Sequence, residues 1–528
     1  MKMLACLPII NKYIDKRQRS RLRLINKGYR QIKNEGELDF LLRLKNILSK
    51  VKLDDLYLSK ILLRQNDFDV ELSIRQYLTE RILGLSFNKS ILYSIGSNTP
   101  LRHPLPLEWR RALIEQGVEV DNLQSDLLWK MYGLVYWARG ALYGLRSAFL
   151  LSKKNSRLGN YVYFSDLNDQ CISNNINSNN ILNWYLQWSG RAEEIDSICH
   201  SVNSVSNGKL GKFEVVQTDG LPYITNMGIF RYGIFVIYAS IYSFVYSFFR
   251  PINGFFLTEI LKTKRIDLAN CGDLARDYLF HNSTPFYRPI WTYFAEEKGS
   301  RILFYFYSTN NENFKTINGY PVQNPWHLIN WPHYLVWDEY QTSFIKRFDS
   351  NNAVIEEVGN IWFSSSDSNF IVNLESAIAV FDVTPVKQSF YIKLGLDLEF
   401  YTPKVANQFL NDIQVVLAEQ NYFMIHKMKR TNPLSHESYG KNIKKLKDKD
   451  NYSAIEPDLD AVQLTQKTEA TISMPFTSTA IIAKLNGKPS VYYDPSGLIQ
   501  KDDRAAHGIP VLSNIDELEE WVKSIANE

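Results

Sequence analysis

The run Thr471-Ile472-Ser473-Met474-Pro475-Phe476-Thr477-Ser478-Thr479-Ala480 passes from a buried strand straight into a helix start rich in hydroxyls. A helix begins with backbone N–H groups that lack intrahelical acceptors, and its dipole is positive at that end. Ser473, Thr477, Ser478 and Thr479 therefore offer hydroxyls and free N–H groups where a phosphate or carboxylate can be held. Ordinary helix N-capping by Ser and Thr accounts for the same residues. A second group is His426-Lys427-Met428-Lys429-Arg430, which sets three cations at the carboxyl end of an expected strand. In a Rossmann-like sheet a strand end and a helix start share one crevice, so Lys427, Lys429 and Arg430 can meet the anion that the hydroxyls cradle. His426 shares a strand face with Met424, and a satisfied structural histidine fits it as well as a functional one.

Acids at strand ends are the candidates for a base or nucleophile. Asp219, in Val216-Gln217-Thr218-Asp219-Gly220, is the first choice, although Asp-Gly also makes turns. Asp338 and Glu339 in LVWDEY compete with it. His103-Pro104 reads as a rigid loop. Asp397-Leu398-Glu399 puts two acids on one strand face, a weak metal pattern for which structural or acceptor-facing roles fit better; no metal site is expected. Asp494, with Tyr492 and Tyr493, ends a strand where a base or ribose could be met, and turn chemistry explains Pro495, Ser496 and Gly497. Asp503, Arg504 and His507 follow as second-tier candidates.

The elements that must position these residues follow from hydrophobic periodicity. Residues 1–88 read as helical, with apolar positions such as Leu41, Leu44 and Leu48. From Ser90 strand-like runs alternate with helical ones: 91–96, 161–167, 213–220, 301–310 and 333–340. Residues 168–183 read as a loop and 441–450 as an exposed basic linker. The last third gives strand 389–398, helix 405–420, strand 422–430, strand 470–476, helix 478–485, strand 490–494 and helix 517–527. The expected division is a helical region 1–88, an α/β lobe 89–385 and a Rossmann-like lobe 386–528.

Composition narrows the class. In 528 residues, 60 Lys and Arg against 56 Asp and Glu leave a charge of +4, too balanced for whole-protein nucleic-acid binding. Cys6, Cys171, Cys199 and Cys271 form no CxxC pair, which argues against a zinc site or disulfide framework and fits the cytoplasm. The first 33 residues hold ten Lys or Arg and one acid, which suits either anionic lipid at the inner face of the membrane or a solvated helical face. Tyr232 to Phe249 is eighteen residues without a charge. Its Tyr, Phe and Ser content and lack of Leu favour a buried or interfacial helix over a span.

The stretch PFTSTAIIAKLNGKPSVYYDPSG (475–497), preceded by LGLDLEFYTP (394–403) and HKMKR (426–430), resembles the bacterial polysaccharide-biosynthesis proteins named for their PFTS motif. The likeness extends more weakly through RPIWTYFAEEKG (288–299) and FYFYSTN (304–310). More distantly, the C-terminal lobe looks like the donor half of GT-B enzymes that use CMP-activated sialic acid or Kdo, where a Lys-x-His-Pro turn and a Ser/Thr-rich helix start bind the nucleotide. Lys427-Met428-Lys429-Arg430 would occupy that turn and lacks the His-Pro. Thr218-Asp219-Gly220 resembles the acidic-Gly motif of bacterial sialyltransferases.

The resemblance implies an α/β, GT-B-like fold of two Rossmann-like lobes facing a cleft, behind a helical extension. It implies a glycosyltransferase for a capsule or O-antigen-like polysaccharide, with Asp219, Asp338 or Glu339 catalytic. Lys427, Lys429, Arg430, Ser473, Thr477, Ser478, Thr479 and Asp494 would bind the donor. That donor is a nucleotide sugar, a CMP-linked nonulosonate for preference, with no other cofactor, and the acceptor a glycan or lipid-linked glycan. A UDP-, GDP- or CDP-sugar donor, or a non-catalytic assembly or export role, stands as the alternative.

Overall fold

The computed structural model describes residues 35–53, 69–153, 159–165, 167, 180–202, 207–309, 312, 315, 319–320, 322, 324–349, 353–361, 376–385, 402–428, 435–455 and 461–525. The basic segment 1–33, the strand expected at 389–398 with Asp397 and Glu399, and Lys429 and Arg430 lie outside them.

Five helices come first: α1 (Glu35–Leu48), α2 (Val70–Ile82), α3 (Leu85–Ser97), α4 (Leu107–Glu115) and α5 (Asn122–Lys153). The strand expected at 91–96 is instead part of α3. Phe87, Ile91 and Ser94 are buried at helical spacing while Tyr93 and Ile95 face out, so the period is helical although the residues are apolar and β-branched. The helical region therefore runs to residue 153, well past 88.

The first sheet contains β1 (Tyr161–Phe164), β2 (Ser197–His200), β3 (Gly208–Leu210), β4 (Phe213–Gln217), β5 (Asp277–His281), β6 (Arg301–Tyr305), β7 (His333–Val336) and β8 (Val354–Glu357). Their order is β3-β4-β2-β1-β5-β6-β7-β8, parallel except for β3. The strands YVYF, DYLFH and HYLV are mostly apolar or aromatic, as a sheet covered on both faces requires. Those helices are α6 (Ile181–Ser189), α7 (Asn226–Ser247), α8 (Ile252–Leu268), α9 (Ile290–Glu297) and α10 (Glu339–Phe348). The stretch Tyr232 to Phe249 is mostly α7, which packs on α5 and α8. Two glycines let α5 and α8 themselves approach closely: a Cβ on Gly254 of α8 would stand 2.1 Å from the Gly133 carbonyl oxygen of α5.

The second sheet contains β9 (Ala377–Phe381), β10 (Phe423–Lys427), β11 (Tyr452–Ile455), β12 (Ala470–Ser473), β13 (Ser490–Tyr493) and β14 (Val511–Leu512), all parallel, in the order β11-β10-β9-β12-β13-β14. Counted from its first strand this is 3-2-1-4-5-6, the Rossmann order. Its helices are α11 (Pro403–Glu419), α12 (Glu437–Leu446), α13 (Ala461–Lys467), α14 (Ser478–Leu485) and α15 (Ile515–Ile525). α11 packs with α12 and α15, and α13 with α14, as right-handed crossovers on opposite faces require. The two-lobed α/β architecture with a helical N-terminal region is thus the one observed. Two details differ. The central strand β9 lies before residue 386, so the second sheet begins inside the stretch expected to belong to the first lobe. Residues 441–446 continue α12 and bury Ile443 and Leu446, so the lysines there are the wet face of an amphipathic helix, not a linker.

Candidate functional site

A Rossmann sheet binds ligands where its strand order reverses, beyond the carboxyl ends of the two strands at that point. Here those strands are β9 and β12. β12 is wholly buried, and Met474 N donates to Phe381 O at 2.8 Å, which carries the pairing one residue past the strand. The chain then turns sharply at Phe476, whose φ of 62° lies in the left-handed region.

Thr477 stands at the N-cap of α14 but caps nothing. Its Oγ1 donates back to Met474 O at 2.8 Å and lies 3.1 Å from Thr479 Oγ1, which is itself 2.9 Å from Ser473 Oγ. Tyr492 OH donates to Thr477 O at 3.0 Å and fixes the turn from β13. The N-capping alternative is therefore not the role these hydroxyls take. They hold one another, and Thr477 makes no side-chain cap bond at the positive end of α14.

Register brings the expected cation to the same edge. Lys427 is level with Phe381, Phe381 with Ser473 and Ser473 with Tyr492. Two strand spacings separate Lys427 from Ser473, roughly 10 Å.

The residue that sequence reasoning missed is Asp382, directly after β9. It is 2% exposed and accepts a hydrogen bond from Tyr439 OH. His426 lies beneath it, with Nε2 3.3 Å from Asp382 Oδ2 but off the line of a hydrogen bond, while its Nδ1 meets Tyr452 OH at 2.8 Å. Burial first, and then the Asp382 charge, push the Tyr439 and Tyr452 phenols above their ordinary range. His426 is thus a buried member of a polar network. The short run Ala377–Phe381 before Asp382 was the available signal: a fully buried strand of small and branched residues with an acid at its end.

The other candidates fall elsewhere. Asp494 is fully buried and organises its own turn, accepting from Ser496 N at 2.9 Å, Ser496 Oγ and Ile499 N at 2.8 Å. Its carboxylate is spent on the loop, so turn chemistry accounts for it. Asp219 binds Arg265 at 2.9 Å, and Arg265 also donates to Leu221 O and Pro222 O. β4 and β7 stand five positions apart in their sheet, roughly 24 Å, so Asp219 and Asp338 do not share a site.

Asp338 caps α10 through Gln341 N at 3.0 Å and meets His507 Nδ1 at 2.6 Å. Beside it, Asp503 accepts from Lys315 N at 2.7 Å and Tyr320 OH at 3.2 Å, and the Arg504 guanidinium lies 3.8 Å from the Tyr320 ring centre. Burial raises the Asp503 carboxyl above its usual range. Asp503, Arg504 and His507 thus form the seam between the lobes. Glu339 is exposed in the first turn of α10. Among the described residues no three His, Cys, Asp or Glu side chains converge as a metal would require. A surface cavity lined by Asn160, Asp196 and Tyr223 opens at the amino edge of the first sheet, away from the strand ends.

Fold and site together define a two-lobed α/β protein with a Rossmann switch-point crevice in its second lobe. The model of the polysaccharide biosynthesis PFTS motif proteins matches residues 236–522, more than half of the chain, and the chain belongs to that family. None of the curated proteins matches it. Solved structures similar to it include a UDP-glucosyltransferase from Polygonum tinctorium, with 9% identity over 70% of this chain and 90% of that one and a TM-score of 0.35. A variant of the wall teichoic acid polymerase TagF gives 10% identity over 74% and 92%, with a TM-score of 0.36. The trehalose-6-phosphate synthase OtsA gives 10% over 69% and 91%, also at 0.36.

Proposed function

We propose that the chain is a GT-B-type glycosyltransferase of polysaccharide biosynthesis that moves a sugar from a nucleotide donor to a glycan or lipid-linked acceptor. One observation carries this reading: at the switch point of a 3-2-1-4-5-6 sheet, the uncapped start of α14 with its linked hydroxyls shares an edge with Lys427. Departure of a nucleotide from a sugar builds negative charge on phosphate, and fixed donors at that point lower the barrier. Ser478, Thr479 and Lys427 would hold the phosphate, with Lys429 and Arg430 following Lys427 in the chain.

The finer reading is a CMP-linked nonulosonate donor in the cytoplasm, motivated by the likeness of the basic turn and PFTS segment to CMP-binding lobes. Of the three acids expected to act as base, Asp219 and Asp338 use their carboxylates on Arg265 and His507. Glu339 is exposed next to the seam, and we assign the base to it.

The test is thermal stabilisation of the full chain by CMP, CDP, UDP and GDP side by side, since a ligand that binds only the folded state must raise its stability. One nucleotide standing out, CMP for the finer reading, is the expected result. A response to UDP or GDP alone discards the CMP donor, and no response to any discards the donor site.

A further inference from the structure

α7 has two unlike faces. Tyr232, Val236, Ala239, Ser243 and Ser247 are buried against α5 and α8. The opposite face is apolar and open: Phe230 is 66% exposed, Ile234 55%, Ile237 58%, Ile241 61% and Phe248 53%. α5 adds Leu142 at 68%, Leu145 at 58% and Phe149 at 58%. Trp137 of α5 packs on Phe244, and Gly144 faces Val236, so the exposed side chains of the two helices stand at matching levels. With aromatic and aliphatic side chains about half open, the patch covers roughly 1,000 Å². Soluble monomers seldom show apolar patches above about 300–600 Å².

We propose that this face of α5 and α7 docks in the plane of an anionic lipid bilayer. Charge favours that occupant. α7 has no acidic residue, and over both helices Lys130, Arg139, Arg146, Lys153 and Arg231 stand against Asp126 alone, which Lys130 meets at 2.7 Å, while Arg250 after α7 meets Glu108 at 3.6 Å. Arg146 and Arg231 are exposed at the border of the patch. Cations at the rim of an apolar, aromatic-rich face match the headgroup and acyl boundary.

α7 is long enough to cross a bilayer, yet its buried residues from Gly228 to Ser247 pack on α5 and α8, which are joined to each other through Trp129, Tyr136 and Phe255, and α8 packs in turn on α9. It therefore lies along the surface. α8 ends at the amino edge of β5, so the turn between α7 and α8 points toward the carboxyl edge, where this lobe would take a substrate. The proposal does not depend on the donor, because its readout is lipid binding and not turnover.

The test adds the full chain from solution to preformed vesicles of phosphatidylcholine with or without phosphatidylglycerol, at 0.1 and 0.5 M salt, and follows flotation. High salt screens the ten bases near the N-terminus, which could tether the chain by charge alone. The wild type is expected to float with the anionic vesicles at both salt concentrations. Ile237→Glu with Ile241→Glu should lower the bound fraction at least tenfold at 0.5 M while circular dichroism and melting stay unchanged, since both positions are exposed. Equal binding by the variant, full release of the wild type by salt, or a solution dimer that the variant breaks without vesicle binding would each overturn the proposal.

Discussion

His507 Nδ1 lies 2.6 Å from Asp338 Oδ2, a bond between a loop of the second lobe and the end of β7 in the first. Around it Lys484 Nζ donates to His507 O at 2.9 Å and lies 5.4 Å from the Tyr340 ring centre, while Arg504 stacks on Tyr320. A histidine 3% exposed and a carboxylate that also caps α10 are mutually dependent. Removal of either leaves the other buried with one partner fewer. A double-mutant cycle of Asp338→Asn and His507→Ala, read by urea denaturation, should give a coupling of about 1–3 kcal/mol. Additive effects would mean that the pair does not hold the lobes together.

At the switch point the hydroxyls divide into two kinds. Thr477 Oγ1 is spent on Met474 O, whereas Ser478 stands in the first turn of α14, and Lys427 sits at the edge of the crevice. Lys427→Ala should therefore weaken nucleotide binding about tenfold or more, the loss of a charge-assisted contact, as its main effect. Thr477→Ala should do the reverse, costing stability through the turn and affecting nucleotide binding less. Titration calorimetry beside melting curves separates the two.

Much of this site is legible in the sequence. The hydroxyl-rich start of α14 is found at the expected residue, because a fully buried strand, a Pro-Phe bend and three hydroxyls each point to the same boundary. Lys427 falls on the same edge, because parallel register follows from the βαβ pattern. For Asp382 the short buried run before it is the only sequence signal, and its partners are not legible, because Tyr439, His426 and Tyr452 come from three separate elements. The seam was not legible for the same reason. His507 and Asp338 are 169 residues apart, and only the packing of the two lobes makes them partners. Helix α3 was misread because its residues suit a strand locally and only its burial shows the helical period.

The helical layer makes a packing prediction. Gly133 and Gly254 let α5 and α8 approach until the backbone of one meets the other, and a Cβ at 254 would strike a carbonyl oxygen that cannot swing away. Gly254→Ala should cost about 1–3 kcal/mol by overpacking. Gly233→Ala, on α7 with nothing within 4 Å of its Cβ position, should be neutral or slightly stabilising through helix propensity. Melting curves of the two variants check both signs.

Asp219 distinguishes a structural from a chemical acid. Arg265 is 6% exposed and gives its guanidinium to Asp219, Leu221 O and Pro222 O. Asp219→Asn keeps the shape but removes the charge that offsets Arg265, so about 1–3 kcal/mol of stability should be lost. Glu339→Gln disturbs no such partner among the described residues and should leave melting unchanged. If Glu339 is the base, its variant loses turnover by about 100-fold or more while Asp219→Asn loses it only as far as folding fails. The opposite ranking would transfer the base to Asp219.

The acid limb of stability should be set in part by His103, the residue read from sequence as part of a rigid loop. Its ring is buried against Phe87, with Nδ1 3.1 Å from Ser90 Oγ and Nε2 3.4 Å from the Ile82 carbonyl. Nε2–H can donate to that carbonyl from the neutral ring, so the bond to Ile82 needs no charge on the imidazole. Burial lowers its pKa from 6.5 to about 4, with the Ile82 carbonyl opposing the shift. Between those values the unfolded chain binds a proton that the folded chain refuses, so stability rises with pH across the window. This contribution is complete above pH 6.5 and is lost as pH falls toward 4, about 3 kcal/mol in all. His103→Asn should lower stability at pH 7 yet flatten the slope between pH 6.5 and 4 by about one proton. Urea midpoints measured at half-unit steps give that slope directly, and an unchanged slope in the variant would show that His103 is protonated in the folded protein.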